Sequence, residues 1–175
     1  MSIDPSRDHG GVIFYYDLAS PWSWLAAERL HDVLDEVPEW QPVLAAPEDV
    51  DRAEVERAAI DQGLPAPRWP DPYPFDPGPV TRAATFTKQT GRAVAFSLAA
   101  MRQAFAAGRD LSVTDNVLIA AAACELHPRA VLKALETRSV AEAVVTAESL
   151  GIDCLPALRV GDRLVTGPDA PERAA

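Results

Sequence analysis

Between Val12 and Tyr16 the chain reads VIFYY, an unbroken β-branched and aromatic run that predicts a buried strand. Asp17–Ser20 follows as a short turn, and Pro21 suits the first position of a helix, where its missing N–H costs nothing. From there Trp24, Leu25, Leu30, Val33, Leu34 and Val37 fall at helical spacing. A strand, a turn and a helix are therefore expected in succession, with Ser20 as N-cap and the helix closing near Val37–Pro38. Trp40–Ala45 predicts a second strand, pushed toward a sheet edge by Pro42. A strand–helix–strand unit of this length implies a parallel pair.

The pattern then turns helical. Glu48–Gln62 is charged and alanine-rich, which predicts an exposed helix. Gly63–Pro79 is dense in proline, yet Trp69, Tyr73 and Phe75 make it too apolar for a free linker, so an ordered loop is expected. Val80–Thr90, Arg92–Ala107, Val113–Glu125, His127–Leu135 and Ser139–Leu150 all read as helix, punctuated by Gly91, Gly108 and Gly151. Near the end the period changes again. Ala157–Val160 and Arg163–Thr166, joined by Gly161–Asp162, predict a tight β-hairpin.

Composition narrows the classes of function. The 175 residues suffice for one domain with a real core, or one domain carrying an insertion. A net charge of −10 argues against nucleic acid or an anionic membrane as partner, and no apolar run approaches spanning length. The first residues, MSIDPSRDHGG, lack the basic and apolar regions of a secretory signal, and two cysteines make no disulfide framework. A cytoplasmic protein is the expectation. His9, His31 and His127 show no metal-ligand spacing, so no metal site is assigned.

The element order, with Leu155–Pro156 just before the hairpin, resembles a DsbA-like member of the thioredoxin fold. The motifs Phe14–Asp17 and Ser20–Ala26 (SPWSWLA) resemble more closely the branch of 2-hydroxychromene-2-carboxylate isomerases and kappa-class glutathione transferases. Gly63–Pro65, Arg68–Pro70 and Gly167–Asp169 add to the likeness, which covers nearly the whole chain. It implies an α/β thioredoxin-like domain from residues 1–46 and 139–175, with a helical subdomain, residues 47–138, inserted. It also implies a dimer.

In the redox members of that superfamily the helix start carries Cys-x-x-Cys; here the four positions read Ser20-Pro21-Trp22-Ser23. A hydroxyl cannot exchange disulfides, so dithiol chemistry is excluded there. In the glutathione-using members a serine sits beside the sulfur of bound glutathione, which makes Ser20 the catalytic candidate by resemblance. On its residues alone, Ser20 reads as a helix cap rather than a catalyst. The likeness further implies that Pro156 is cis, that the Leu155 backbone pairs with the peptide part of the thiol, and that Asp169 takes its ammonium group. On the residues alone, Asp169 is an ordinary turn acid. Trp22 and Trp69 are candidates to line a pocket for an aromatic or electrophilic small molecule, with Tyr73 and Phe75 as further aromatic candidates, whereas Trp24 and Cys154 read as packing residues. Glutathione or another low-molecular-weight thiol would be the cofactor.

The chain also departs from these relatives. The stretch between the second strand and Gly63 is short and carries no asparagine loop, Pro168 replaces a hydrogen-bonding side chain, and the six residues after Asp169 are too few for a closing helix. Those departures suit the alternative, a catalytically degenerate binding or scaffolding module on the same fold.

Overall fold

The structure, a computed structural model, describes residues 11–175. His9 and most of the polar N-terminal stretch lie outside the described residues. Five strands form one mixed sheet in the order β3-β2-β1-β4-β5. β1 (Val12–Tyr16) is central: it pairs parallel to β2 (Glu39–Leu44) and antiparallel to β4 (Ala157–Val160). The hairpin closes as expected, with β5 (Arg163–Thr166) antiparallel to β4 and Gly161 at φ 57° in its turn, a conformation that favours glycine.

Alternation along β1 divides the core. Val12, Phe14 and Tyr16 face the helices, where Phe14 stacks on Tyr16 and both meet the edge of Trp40. Tyr15 faces the other side, in a smaller cluster with Val43, Ile152, Leu155 and Ala157. Beneath the first face lie α1 (Pro21–Val33), α3 (Gly78–Gln89), α4 (Ala93–Phe105) and α5 (Thr114–Ala123). α2 (Arg52–Asp61) precedes the proline-dense loop, while α6 (Pro128–Glu136) and α7 (Arg138–Glu142) complete the helical run. The Tyr16 hydroxyl and the Ser97 hydroxyl of α4 satisfy each other at 2.7 Å inside this core, tying sheet to helices.

Four expectations need correcting. α1 ends at Val33, with Leu34 extended, and Val37 is 90% exposed; its helical spacing was coincidental, and Pro38 disfavours helix just before it. Ser139–Leu150 is not one helix. α7 stops at Glu142, then β3 (Val145–Thr146) adds to β2, and a single 3₁₀ turn covers Glu148–Leu150. Valine beside an open strand edge overrides the weak local helical preference. β2 is accordingly not the sheet edge. Its ladder to β3 begins only at Val43, after Pro42, so the missing proline N–H is not required there. Finally, the C-terminus does form a closing helix, α8 (Ala170–Ala174), which buries Ala170, Pro171 and Ala174. An ion pair from Arg29 of α1 to Glu172 at 2.6 Å holds it in place.

Candidate functional site

The turn after β1 is organised by one buried acid. Asp17 is 3% exposed, and its two carboxylate oxygens accept from the Ala19 N–H (2.6 Å) and the Ala45 N–H (2.8 Å). It thereby clamps the β1–α1 turn to the end of β2. Burial is the main cause that pushes its carboxyl up to about 6, opposed by those two hydrogen bonds and reinforced by the charge of Glu48. The Asp17 N–H in turn donates to the fully buried Ser23 hydroxyl at 3.3 Å.

Ser20 caps α1. Its backbone is extended (φ −93°, ψ 117°), and its hydroxyl oxygen accepts from the Ser23 N–H at 3.2 Å. One lone pair is thus occupied by the helix, and among the described residues nothing accepts the hydroxyl proton, which remains to be donated. Ser20 is buried at the floor of a cavity of about 30 Å³, whose wall also contains Asp17, Glu48, Tyr73, Phe75 and Leu155. The proline-dense loop closes this cavity from above. The Tyr73 hydroxyl donates to the Ala19 carbonyl at 3.2 Å, and its ring packs on Trp69 and Phe105. Burial, with Glu48 and Asp17 nearby, raises the Tyr73 phenol far above its ordinary range, so it stays a neutral donor.

Of the residues singled out from the sequence, Ser20 and Leu155 come together in that cavity. The Leu155–Pro156 peptide is cis, as are Asp71–Pro72 and Tyr73–Pro74 in the loop. Among the described residues nothing accepts a hydrogen bond from the Leu155 N–H, and its carbonyl meets only the Cys154 thiol, at 3.9 Å. Asp169 does not line the cavity. It begins α8, its carboxylate lies 3.5 Å from the Arg173 guanidinium, and it follows Gly167, which holds φ 103°. Arg29 secures this turn by donating to the Pro168 carbonyl at 2.6 Å.

Trp22 is half-buried against the core and Trp69 packs behind Tyr73, its indole donating to Glu56 at 2.9 Å; neither lines the cavity. The aromatic wall comes instead from Tyr73 and Phe75. Cys154 is half-buried rather than enclosed, on the wall of a larger groove of about 800 Å³. Sequence reasoning missed Asp17 and Glu48 as site residues. An acid directly after a run of five buried-type residues was a signal for the first; nothing local marked the second.

No family model and no curated protein matches the chain by sequence. Solved structures match it by shape. A probable DsbA oxidoreductase from Streptomyces coelicolor superposes with a TM-score of 0.73 at 18% identity, over 93% of this chain and 86% of the other. The fold is DsbA-like. A 2-hydroxychromene-2-carboxylate isomerase shares it with a TM-score of 0.77 at 17% identity, over 90% of this chain and 89% of the isomerase. So does the cytosolic disulfide reductase DsbM of Pseudomonas aeruginosa, whose structure was determined with GSH, at 0.64 and 16%, over 93% and 96%. On this DsbA-like fold the start of α1 bears Ser20 and Ser23, and the chain's two cysteines lie elsewhere, at Cys124 and Cys154. Among the described residues no cluster of ligands could hold a metal, and no helix is long and apolar enough to cross a membrane.

Proposed function

We propose that the protein binds a low-molecular-weight thiol, glutathione or a relative, with its sulfur at Ser20, and uses it as an isomerase or transferase on an electrophilic, conjugated small molecule. The observation that carries this reading is the Ser20 hydroxyl at the start of α1. It keeps its proton to donate, and it shares one small cavity with Leu155. The helix dipole favours a thiolate at that point by about 0.3–1 kcal/mol, and a hydrogen bond to the anion contributes about 1.5–3 kcal/mol. The sulfur adds to an electrophilic carbon and the displaced electron pair moves into the conjugated carbonyl. Elimination of the thiolate after bond rotation gives an isomer; retention of the C–S bond, with the enolate taking up the proton the thiol gave up, gives a conjugate.

Leu155 would offer its N–H and C=O to the peptide part of the thiol, a strand addition in miniature, and Asp169 would take its ammonium. Tyr73 and Phe75 would face the substrate, with Trp22 and Trp69 behind or beside them. The same reading carries a cytoplasmic location and a homodimer.

One observation favours the second reading, a binding module without turnover. Asp17 and Glu48 share the cavity with Ser20, and their charge opposes a thiolate there. Calorimetric titration with a panel of small thiols, followed by turnover assays with conjugated carbonyl compounds, separates the two. Thiol binding with turnover that falls in Ser20→Ala supports the enzyme; binding without any turnover supports the module.

A further inference from the structure

The cavity at Ser20, about 30 Å³, has room for two or three water-sized groups, each needing about 10–15 Å³ of such space, which is enough for a sulfhydryl and little more. The rest of any ligand must lie elsewhere. The adjoining volume is the groove of about 800 Å³, which shares Ala45, Ala46, Pro47, Glu48 and Leu155 with the cavity wall. That size is ordinary for a small-molecule site, whose usual range is about 300–1,000 Å³.

The charged side chains of the groove are all acidic. Glu48 stands at the junction, with Glu148 and Asp153 along the wall, all three exposed to what enters. Among the described residues no lysine, arginine or histidine lines either space. The apolar part of the lining comes from Leu44, Ala147, Ile152 and Leu155. Cys154 reports the field at the groove wall. Partial burial raises its thiol first, and Glu48, Asp153 and Asp169 raise it further.

Resting on the thiol-site reading above, we infer that the groove selects a thiol of net positive charge, an aminothiol or an amine-bearing peptide thiol without free carboxylates, over the anionic glutathione. Ammonium groups would pair with Glu48, Glu148 and Asp153 as well as with Asp169 while the sulfur reaches Ser20. A free carboxylate on the ligand meets like charge along the groove and finds no cation to pair with among the described residues of its lining.

The test compares glutathione with its diethyl ester, which has the same skeleton and ammonium but no carboxylate. Calorimetry at low ionic strength should show the ester binding about tenfold more tightly, a preference that shrinks in high salt. Replacing Glu48, Glu148 and Asp153 together by Gln, Gln and Asn should bring the two affinities within about twofold. If glutathione binds as tightly as the ester, or if the neutralised variant keeps the tenfold preference, the charge inference is overturned and the thiol site stands. If neither ligand binds, and cysteamine does not either, the thiol-site reading itself has failed and takes the inference with it.

Discussion

Asp17→Asn tests how the site is built. The carboxyl is buried and held at about 6, against 3.8 for an unperturbed aspartate. Because the folded value lies above the unfolded one, the folded chain keeps the proton over this interval. The group's contribution to stability is therefore full below the unfolded pKa and lost as pH rises through the folded pKa. The full loss is about 3 kcal/mol, and the part falling between about pH 5 and about pH 7.5 is about 1.4 kcal/mol. Asparagine cannot titrate, and its NH₂ faces one of the two N–H donors from Ala19 and Ala45, a pH-independent cost of about 1–3 kcal/mol. Wild type should thus exceed Asp17→Asn in stability by more at pH 5 than at pH 7.5. Urea unfolding followed by tryptophan fluorescence measures the gap, and titrating groups other than Glu48, which couples to Asp17, cancel in the difference. A gap that stays constant, or widens with pH, would refute a buried carboxyl destabilised by its own charge.

Ser20→Ala should cost about 1 kcal/mol in chemical unfolding through loss of the cap, and lower turnover with little change in thiol affinity. Asp169→Ala should do the opposite, raising the thiol dissociation constant more than it slows chemistry, as initial-rate kinetics would report. Phe105→Ala removes a fully buried ring that packs on Trp24, Trp69 and Tyr73. It should cost about 3–5 kcal/mol in unfolding and loosen the proline-rich lid, seen as faster amide exchange around Trp69–Phe75. Insulin reduction should be absent through the Ser20–Ser23 motif; activity that survives removal of both Cys124 and Cys154 would contradict that reading.

Much of the frame was legible because local chemistry and global fold agree there. Val12–Tyr16, Pro21 after a capping serine, and the Gly161–Asp162 turn each carry their structure in their own residue types. Two of the misreadings share a cause: Val145–Thr146 and the short α8 form because a strand edge and the Arg29 guanidinium await them from distant parts of the chain. The site divides the same way. Ser20 is marked by its own sequence context, whereas Glu48 enters the cavity only because β2 ends beside the β1–α1 turn, a placement fixed by the Asp17–Ala45 hydrogen bond.

The claim that a thiol sulfur sits at Ser20 is tested most directly by an NMR titration. Glutathione and its diethyl ester would each be added to labelled protein up to millimolar concentration, with the backbone amides followed. The account predicts that the Ser20, Ser23 and Leu155 amides shift together along one binding curve for at least one of the two thiols, and that the same molecules with the sulfur methylated leave Ser20 and Ser23 unmoved. Shifts confined to other surfaces, or none at Ser20 for either thiol, would contradict it.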